Sequence, residues 1–509
     1  MAHSIHRRVR LGLALSFLVP LASSACGDSA PTGTLSVGPV TDAGTADTFL
    51  PLDAAVPDVR DANPDVVTKD AGKDTEGADA ADAGPADPCV GTLCGVSVGG
   101  LSVCALRKSG VLKCWGYGAR GALGLGDGAH RGNEPNEMGQ NLPAVDLGTG
   151  RKAVRLGKSG GATSMCAVLD DDTLKCWGYN LYGQLGLGDV ANRGALPNEM
   201  GDALAAVDLG TGRHAKDVVI GPAHACAILD DDTLKCWGRN HLGQLGLGDT
   251  NNRGDNAGEM GDALPVVDLG TGRHAKDVVL GDDMTCVLLD DDTVKCFGGN
   301  AWGQLGQSKT TPIGTGAGQM GDALAPIALG TGRTAKSIAG GYGQVCALLD
   351  DGSVKCWGNN DQGRLGVGDT AHRGDAPGEM GDALSAVPLG TGRTALAIGA
   401  SGSGACARLD DGTLKCWGYN GNGVLGQGDT MHRGDDPNEL GDALAPIDFG
   451  GGRKTLAIYI GWSSHCALLN DGALVCWGGN SYGQLGLGDG NNRGDGPNEM
   501  GSALSAVDF

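Results

Sequence analysis

Aromatic residues supply only 4% of this 509-residue chain, with 5 Phe and 7 Tyr. A core must therefore be built mainly from Leu, Val, Ile and Ala, with a few of the 8 tryptophans. Positive charge is also short: 38 Lys and Arg stand against 60 Asp and Glu, a formal net charge of -22. That balance argues against nucleic acid, whose phosphates demand clustered cations, and it disfavours an anionic membrane surface as a partner. No stretch sustains a 3.6-residue apolar period, so helices should be scarce. Cys-x-x-Cys is absent, which removes thiol-pair redox catalysis. No nucleophile motif surrounds any Ser, and the 10 His show no two-ligand spacing. Hence no catalytic residue, metal or cofactor is assigned.

What the chain does have is glycine, 93 residues without a collagen period, and 17 cysteines. Such glycine usage suits a fold made of tight turns, and such cysteine usage suits an oxidising compartment if the chain is exported. The amino terminus has the layout of an export signal: Arg7, Arg8 and Arg10, then the apolar stretch Leu11 to Leu21, then Ser23, Ser24 and Ala25 before Cys26. This is short for a transmembrane helix. The ending resembles a bacterial lipoprotein lipobox, with Ser23 where that motif usually has Leu. The resemblance implies a signal peptide over 1–25 and lipidation of Cys26; plain cleavage with secretion is the alternative. Val9-Arg10-Leu11 departs from a twin-arginine signal. Lipidation also removes the odd cysteine, leaving eight pairs. Residues 26–88 read as an acidic, disordered linker: from 27 to 88 there are 13 acidic residues against 3 basic, with Phe49 the only aromatic. Too little apolar surface is present to offset the entropy of ordering it. As a flexible coil it would span on the order of 45 Å, enough to tether a domain.

The domain reads as 89–509, and seven repeat units fill residues 95–509 of it. Its cysteines come as Cys104 and Cys114, Cys166 and Cys176, Cys226 and Cys236, Cys286 and Cys296, Cys346 and Cys356, Cys406 and Cys416, and Cys466 and Cys476. Partners are ten apart, and the unit advances by 62 once and then by 60. Each unit offers four short apolar-rich runs bounded by Gly and Asp, such as 217–220 (A), 226–229 (B), 233–237 (C) and 266–269 (D). Four antiparallel strands repeated seven times predict an all-β, seven-bladed β-propeller. The count allows self-contained blades or pairing of the C-terminal run with the N-terminal blade. The stretch Leu409-Asp410-Asp411-Gly412-Thr413-Leu414, with Trp417-Gly418-Tyr419-Asn420 and Gly423-Val424-Leu425-Gly426, resembles the repeat of the regulator-of-chromosome-condensation family. Gly483-Gln484-Leu485-Gly486-Leu487-Gly488-Asp489 matches it more closely still. The resemblance covers all seven units and implies the same propeller. A departure lies two residues before the first cysteine of each pair: a His that the family often carries after strand A has only His224 as its counterpart, among Ser102, Ser164, Met284, Gln344, Gly404 and Ser464.

Asp410-Asp411-Gly412 has the form of a three-residue hairpin loop whose last position is left-handed. Gly110, Gly352, Gly412 and Gly472 fill that position in four units; Asp172, Asp232 and Asp292 fill it in three, and Asp tolerates it better than most residues. Counting back from the loop sets the two cysteines of each unit opposite one another, within disulfide reach. Seven intrablade disulfides are expected, with Cys89 and Cys94 as an eighth pair. A spacing of ten with no second pair nearby is not a zinc pattern. Trp115, Trp177, Trp237, Trp357, Trp417 and Trp477, with Phe297 once, recur in register and belong to the blade core.

Alternating strand directions put the A–B and C–D connections on one face and the Asp-Asp-Gly turns on the other. Between units the turns barely change, whereas the A–B and C–D loops differ. The residues that differ supply the binding-face candidates Tyr182, His224, His241, Met284, Trp302, Tyr342, Gln344, Asp361, Trp462 and Tyr482. Variation on one rim of a repetitive array is where a binding surface is built, and aromatics are typical anchors; drift at exposed loop tips is the competing reading. Arg253-Gly254-Asp255 recurs at one repeat position and is lost as Arg193-Gly194-Ala195, which marks a structural loop rather than an adhesion tripeptide. The loop Asp489 to Asp495 has oxygen ligands, but it lacks the EF-hand spacing and terminal Glu, and Arg493 would repel calcium. The expectation is a non-enzymatic binding scaffold of the bacterial cell envelope, periplasmic or surface, lipid-anchored or secreted. Its ligand would be a protein or a polysaccharide, and its only membrane contact the anchor. The resemblance adds nucleotide-exchange factors and secreted enzyme inhibitors as relatives; export makes exchange on a nuclear GTPase implausible. The alternative is an envelope lyase or hydrolase acting at the propeller funnel.

Overall fold

The computed structural model describes residue 89 and residues 91–509. The signal segment 1–25, Cys26 and the linker 26–88 lie outside the described residues. Among the described residues, regular structure consists of short strands and three-residue 3-10 turns, with no α-helix. Seven antiparallel sheets follow one another in chain order, each built from an inner, a middle and an outer strand. In the third blade these are Ala215–Ile220 (A), His224–Leu229 (B) and Leu234–Gly238 (C). The middle strand is buried from end to end, because both of its faces pack against neighbouring blades; it accordingly reads as a continuous apolar run rather than an alternating one.

The fourth run of each unit lies beside strand C and joins it through one short backbone hydrogen bond, extended to an isolated bridge at Ala386 and Ala506. Val267 N donates to Leu234 O at 2.8 Å, and Val145, Val207, Ile327, Val387, Ile447 and Val507 repeat that contact in the other blades. Pro143, Pro265, Pro326, Pro388 and Pro446 stand in five of these runs, and proline has no N–H to extend a ladder. Three regular strands plus one sparsely bonded edge run is therefore the blade. Because Val507 bonds to Leu474 of its own unit, the C-terminal run closes the seventh blade, and every blade is one continuous stretch of chain.

The ring is held by contacts repeated between blades. Gly183 has φ +76°, and a Cβ there would lie 2.3 Å from Asp255 N; its neighbour Gly188 donates N–H to Gly254 O at 3.0 Å. The Gly-Gln-Leu-Gly signature of one blade thus interlocks with the Arg-Gly-Asp loop of the next. The same latch joins the last blade to the first, where Gly488 N reaches Gly132 O at 3.0 Å. Arg253 is tied within its own loop, to Asp249 at 2.7 Å and to the carbonyls of Asn251 and Asn252. Asp489 is likewise paired with Arg493 at 2.7 Å.

Five of the six repeated tryptophans also cross to a neighbouring blade, while Trp177 Nε1 is buried without a hydrogen-bond partner. The indole N–H of Trp237 donates to Gln184 O at 3.0 Å, and Trp357 and Trp477 reach Gln304 O and Val424 O in the same way. Phe297 has no such donor. In that blade Thr285 Oγ1 donates to Gln244 O at 2.7 Å instead, at a position occupied by Ala225, Val345 and Ala405 elsewhere. Thr285→Val is expected to leave a buried carbonyl unmet and to cost about 1–3 kcal/mol. Adding Phe297→Trp should meet the Gln244 carbonyl again and restore part of the loss, with buried His224 Nε2 still deprived of Thr285 Oγ1, as read by urea midpoints.

The cysteines stand where the hairpin count sets them, directly opposed across strands B and C of every blade. Cys104 faces Cys114, Cys166 faces Cys176, Cys226 faces Cys236 and Cys286 faces Cys296. In the last three blades Cys346 faces Cys356, Cys406 faces Cys416 and Cys466 faces Cys476. All seven pairs form disulfides, with Cα separations of 4.0–4.1 Å. Cys89 is bonded to Cys94 as the eighth. The hairpin loops behave as read: Asp232 has φ +63° and Gly412 has φ +78°, while Asp231 Oδ1 accepts from Thr233 N and Thr233 Oγ1.

The second blade departs from its siblings. Arg151 to Cys166 spans two residues more than Arg213 to Cys226, and the extra length falls in strand A. That strand breaks after Leu156, and Lys158–Ser159 pairs in parallel with Val219–Ile220 of the third blade. The segment reaches into the central channel, a cavity of about 200 Å³ lined by inner strands of all seven blades. There Lys158 Nζ forms ion pairs with Asp217 at 2.6 Å and Asp277 at 2.9 Å. Burial pulls its pKa down, but the two carboxylates together outweigh that and leave it raised.

Candidate functional site

Two sets of loops meet on one face. The residue after each Trp-Gly or Phe-Gly pair bonds back to the A–B loop of its own blade: Arg239 N donates to Ala223 O, Gly299 N to Asp283 O and Tyr419 N to Ser403 O. In six blades the next residue is an Asn that shapes the start of the C–D loop, with Gly118 in the first. Asn240 Oδ1 accepts from Leu245 N at 2.9 Å and its Nδ2 donates to Asp249 O at 2.9 Å. Gln244 then bridges blades, with Nε2 to Asp283 Oδ1 of the following blade at 3.3 Å. The opposite face carries the Asp-Asp-Gly turns, where Asp230 N bonds to His214 O and Arg213 pairs with Asp230 at 3.2 Å. The pairing recurs in the five blades whose turn begins Asp-Asp, while the first and last blades carry Lys108-Ser109-Gly110 and Asn470-Asp471-Gly472 there.

Of the ten candidate residues, seven lie on the variable face with accessible side chains: Tyr182, His241, Trp302, Tyr342, Asp361, Trp462 and Tyr482. The other three, His224, Met284 and Gln344, are fully buried and are not available to a ligand. Each is the first residue of strand B and pairs with the Gly after the Trp or Phe: His224 with Gly238, Met284 with Gly298, Gln344 with Gly358. Their side chains point between blades. His224 Nε2 meets Thr285 Oγ1 at 3.0 Å, and Gln344 Nε2 donates to Gly404 O at 2.8 Å. Variation at this position is therefore exchange of core residues between blades.

The accessible residues gather into three groups. Between the third and fourth blades, Arg239 lies over the Tyr182 ring at 4.8 Å and within 3.6 Å of Asp283, which His241 approaches at 3.8 Å. Beside them Asp282 is largely withdrawn from water; that burial, with the charge of Asp283, lifts its pKa to about 6 against the pull of Arg239. Where the ring closes, Tyr482 packs edge-on against Tyr117 at 5.0 Å and His130 at 5.1 Å. The third group is the most concave. Trp302 and Tyr342 lie 5.4 Å apart, Arg364 sits over Tyr342 at 5.5 Å, and a cavity of about 560 Å³ opens beside them, lined by Arg364, Gln362, Tyr419, Asn422 and Trp462.

Arg239, Arg364, Tyr419 and Asn422 were not singled out from the sequence. For two of them a signal existed. The residue after Trp-Gly or Phe-Gly runs Tyr117, Tyr179, Arg239, Gly299, Asn359, Tyr419 and Gly479 through the units, a variation as marked as that of the loops.

This geometry agrees with comparison to known proteins. The regulator of chromosome condensation (RCC1) repeat is matched at residues 215–244, 335–364 and 456–484. The chain is 30% identical to the ultraviolet-B receptor UVR8 of Arabidopsis thaliana over 339 residues, 65% of this chain and 66% of the receptor. The chain belongs to the RCC1-repeat family. A second relative, the human E3 ubiquitin-protein ligase HERC2, is 28% identical over 64% of this chain but only 6% of its own length. Among solved structures, a chain of the complex of Kap60 with yeast RCC1 (Prp20) superposes with a TM-score of 0.56. It is 19% identical and covers 80% of this chain and 85% of its own, and it supports the fold alone. Receptor and ligase differ in kind, so the RCC1-repeat propeller is a shared frame and its role lies in the loops that each member carries.

Proposed function

We propose that this RCC1-repeat protein is a binding scaffold, exported and lipid-anchored through Cys26, that presents its variable loop face to a protein or glycan of the cell envelope. The observation that carries the reading is the asymmetry of the disc. Tyr182, His241, Trp302, Tyr342, Asp361, Trp462 and Tyr482 are accessible on one face, while the other carries an Asp-Asp turn in five of the seven blades. Eight disulfides suit an oxidising compartment, which is what the signal layout before Cys26 calls for. The channel supports binding rather than chemistry: Lys158 is paired with Asp217 and Asp277, and the cavity that Lys158 lines is small and otherwise mostly apolar. On this reading the protein is not an enzyme.

Crosslinking in intact cells tests it. The natural protein is compared with a version whose A–B and C–D loops all copy one blade. A partner captured only by the natural loops is the expected outcome. Equal capture by both versions would place the contact elsewhere.

A further inference from the structure

The cavity beside Trp462 has features that the binding-face reading does not require. Trp462 is 51% exposed although it is among the largest apolar side chains in the chain. Its indole rests on the backbone of Gly402, where a Cβ would lie 2.7 Å from Trp462 Cδ1. One face of the ring is thus held against a glycine, and the side chain is a fixed flat platform.

Around it stand planar polar groups: the amides of Gln362 and Asn422, the phenol ring of Tyr419 and the guanidinium of Arg364, with Gly100 and Leu101 completing the wall. Two of these groups are underused. Arg364 makes one side-chain hydrogen bond, to Asn359 Oδ1 at 3.3 Å, and its Nε is buried without a partner, as is Gln362 Oε1. No carboxylate among the described residues comes within 4.0 Å of this guanidinium. Asp361, whose charge acts on Arg364 from farther off, is bonded to the Asn359 amide at 3.2 Å. Most other arginines on the disc are paired with aspartates at 2.6–3.6 Å, Arg120, Arg155 and Arg408 being further exceptions, and of these Arg364 is the one beside the exposed Trp462. An arginine left unpaired beside a cavity, in a chain of net charge -22, marks a place for an external anion. Guanidinium and carboxylate match as two-pronged partners.

Platform, amides and unpaired guanidinium together fit a sugar ring better than a peptide. A pyranose offers a flat C–H face for the indole and edge hydroxyls for the amides, and a carboxylate on the ring completes Arg364. A peptide side chain would need a deep apolar slot, whereas two of the nine lining residues are glycines and the indole is open. We propose that this cavity binds a carboxylated pyranose, a hexuronate unit of an acidic glycan. The proposal rests on the binding-face reading and names the ligand class of one part of that face.

Titration with a galacturonate trimer tests it, with maltotriose as the neutral counterpart and a short peptide with a free C-terminal carboxylate as the competing anion. Six of the eight tryptophans are fully buried, which leaves Trp302 and Trp462 as reporters; the emission change should disappear in Trp462→Ala and persist in Trp302→Ala. Arg364→Gln should lose at least tenfold in affinity for the uronate and little for any neutral sugar, and Arg364→Lys should recover part of it. Uronate binding that survives Trp462→Ala, preferential binding of the peptide, or no binding of any probe while envelope partners are still captured through the loops would overturn the glycan proposal and leave the binding face standing. Failure of both the sugar titration and loop-dependent capture would overturn both.

Discussion

Unfolded in denaturant with a reductant and returned to reducing buffer, the propeller is expected not to regain its fold, whereas oxidised protein refolds. Each intrablade disulfide joins residues ten apart and, in the chain-entropy model, removes roughly 3 kcal/mol of unfolded-state freedom. Seven of them exceed the roughly 5–15 kcal/mol that separates a typical native domain from its unfolded chain. The rest of the blade offers little to replace them. Strands are four to seven residues long apart from the two-residue piece in the second blade, the fourth run adds one short bond or an isolated bridge, and aromatics are scarce. The sulfurs belong to residues that are 0% exposed in all seven pairs, from Cys104 and Cys114 to Cys466 and Cys476, so reductant without denaturant should leave the fold intact. Near-UV circular dichroism and thiol counting separate the arms. A reduced chain that refolded with native dichroism would show that the staples are dispensable.

Acid should loosen the disc over a window set by two histidines. His224 and His465 are buried, and burial lowers their pKa values to about 3 and about 4. In the unfolded chain a histidine titrates at about 6.5. From about pH 6.5 downward the unfolded state therefore takes up protons that the folded state refuses. The stability these groups contribute is fully present above that pH and is lost as pH falls towards 4. At about 1.4 kcal/mol per decade each histidine loses about 3 kcal/mol between pH 6.5 and 4. Asp282 works in the opposite sense. Its raised pKa of about 6 favours the folded state below that pH and returns roughly 3 kcal/mol by pH 4. A net loss of about 3 kcal/mol remains. His224→Gln with His465→Val, substitutions borrowed from Gln344 and Val345 at the same positions of the fifth blade, should flatten the profile of urea midpoint against pH between 7 and 4. An unchanged slope in the double variant would assign the acid sensitivity to other groups.

The seven-fold repeat, the opposed cysteines and the left-handed hairpin positions were legible in the sequence, because each depends on local spacing within one unit. Glycine at 412 and aspartate at 232 follow from a turn that spans three residues. What was not legible depends on neighbours in space. His224, Met284 and Gln344 vary between units as a binding residue would, yet each fills a gap between two blades, and no reading within one unit shows that. The exchange of an indole donor for Thr285 beside Phe297 couples residues twelve apart in the chain to a carbonyl of the preceding blade. The two-residue excess before Cys166 was visible as a spacing of 62, but that it carries Lys158 into the channel follows from pairing with the third blade. Arg364 became notable only when the absence of a partner around it could be seen.

The direct test of the account is where a captured partner touches the disc. A photoreactive residue placed singly in A–B loops at positions 222, 342 and 462, and singly in hairpin turns at positions 231, 351 and 411, samples the two faces in the native cell. Adducts to one partner from the loop positions, and none from the turns, is the predicted result. Adducts from the turns, or equally from both faces, would contradict the claim that the variable rim is the working surface.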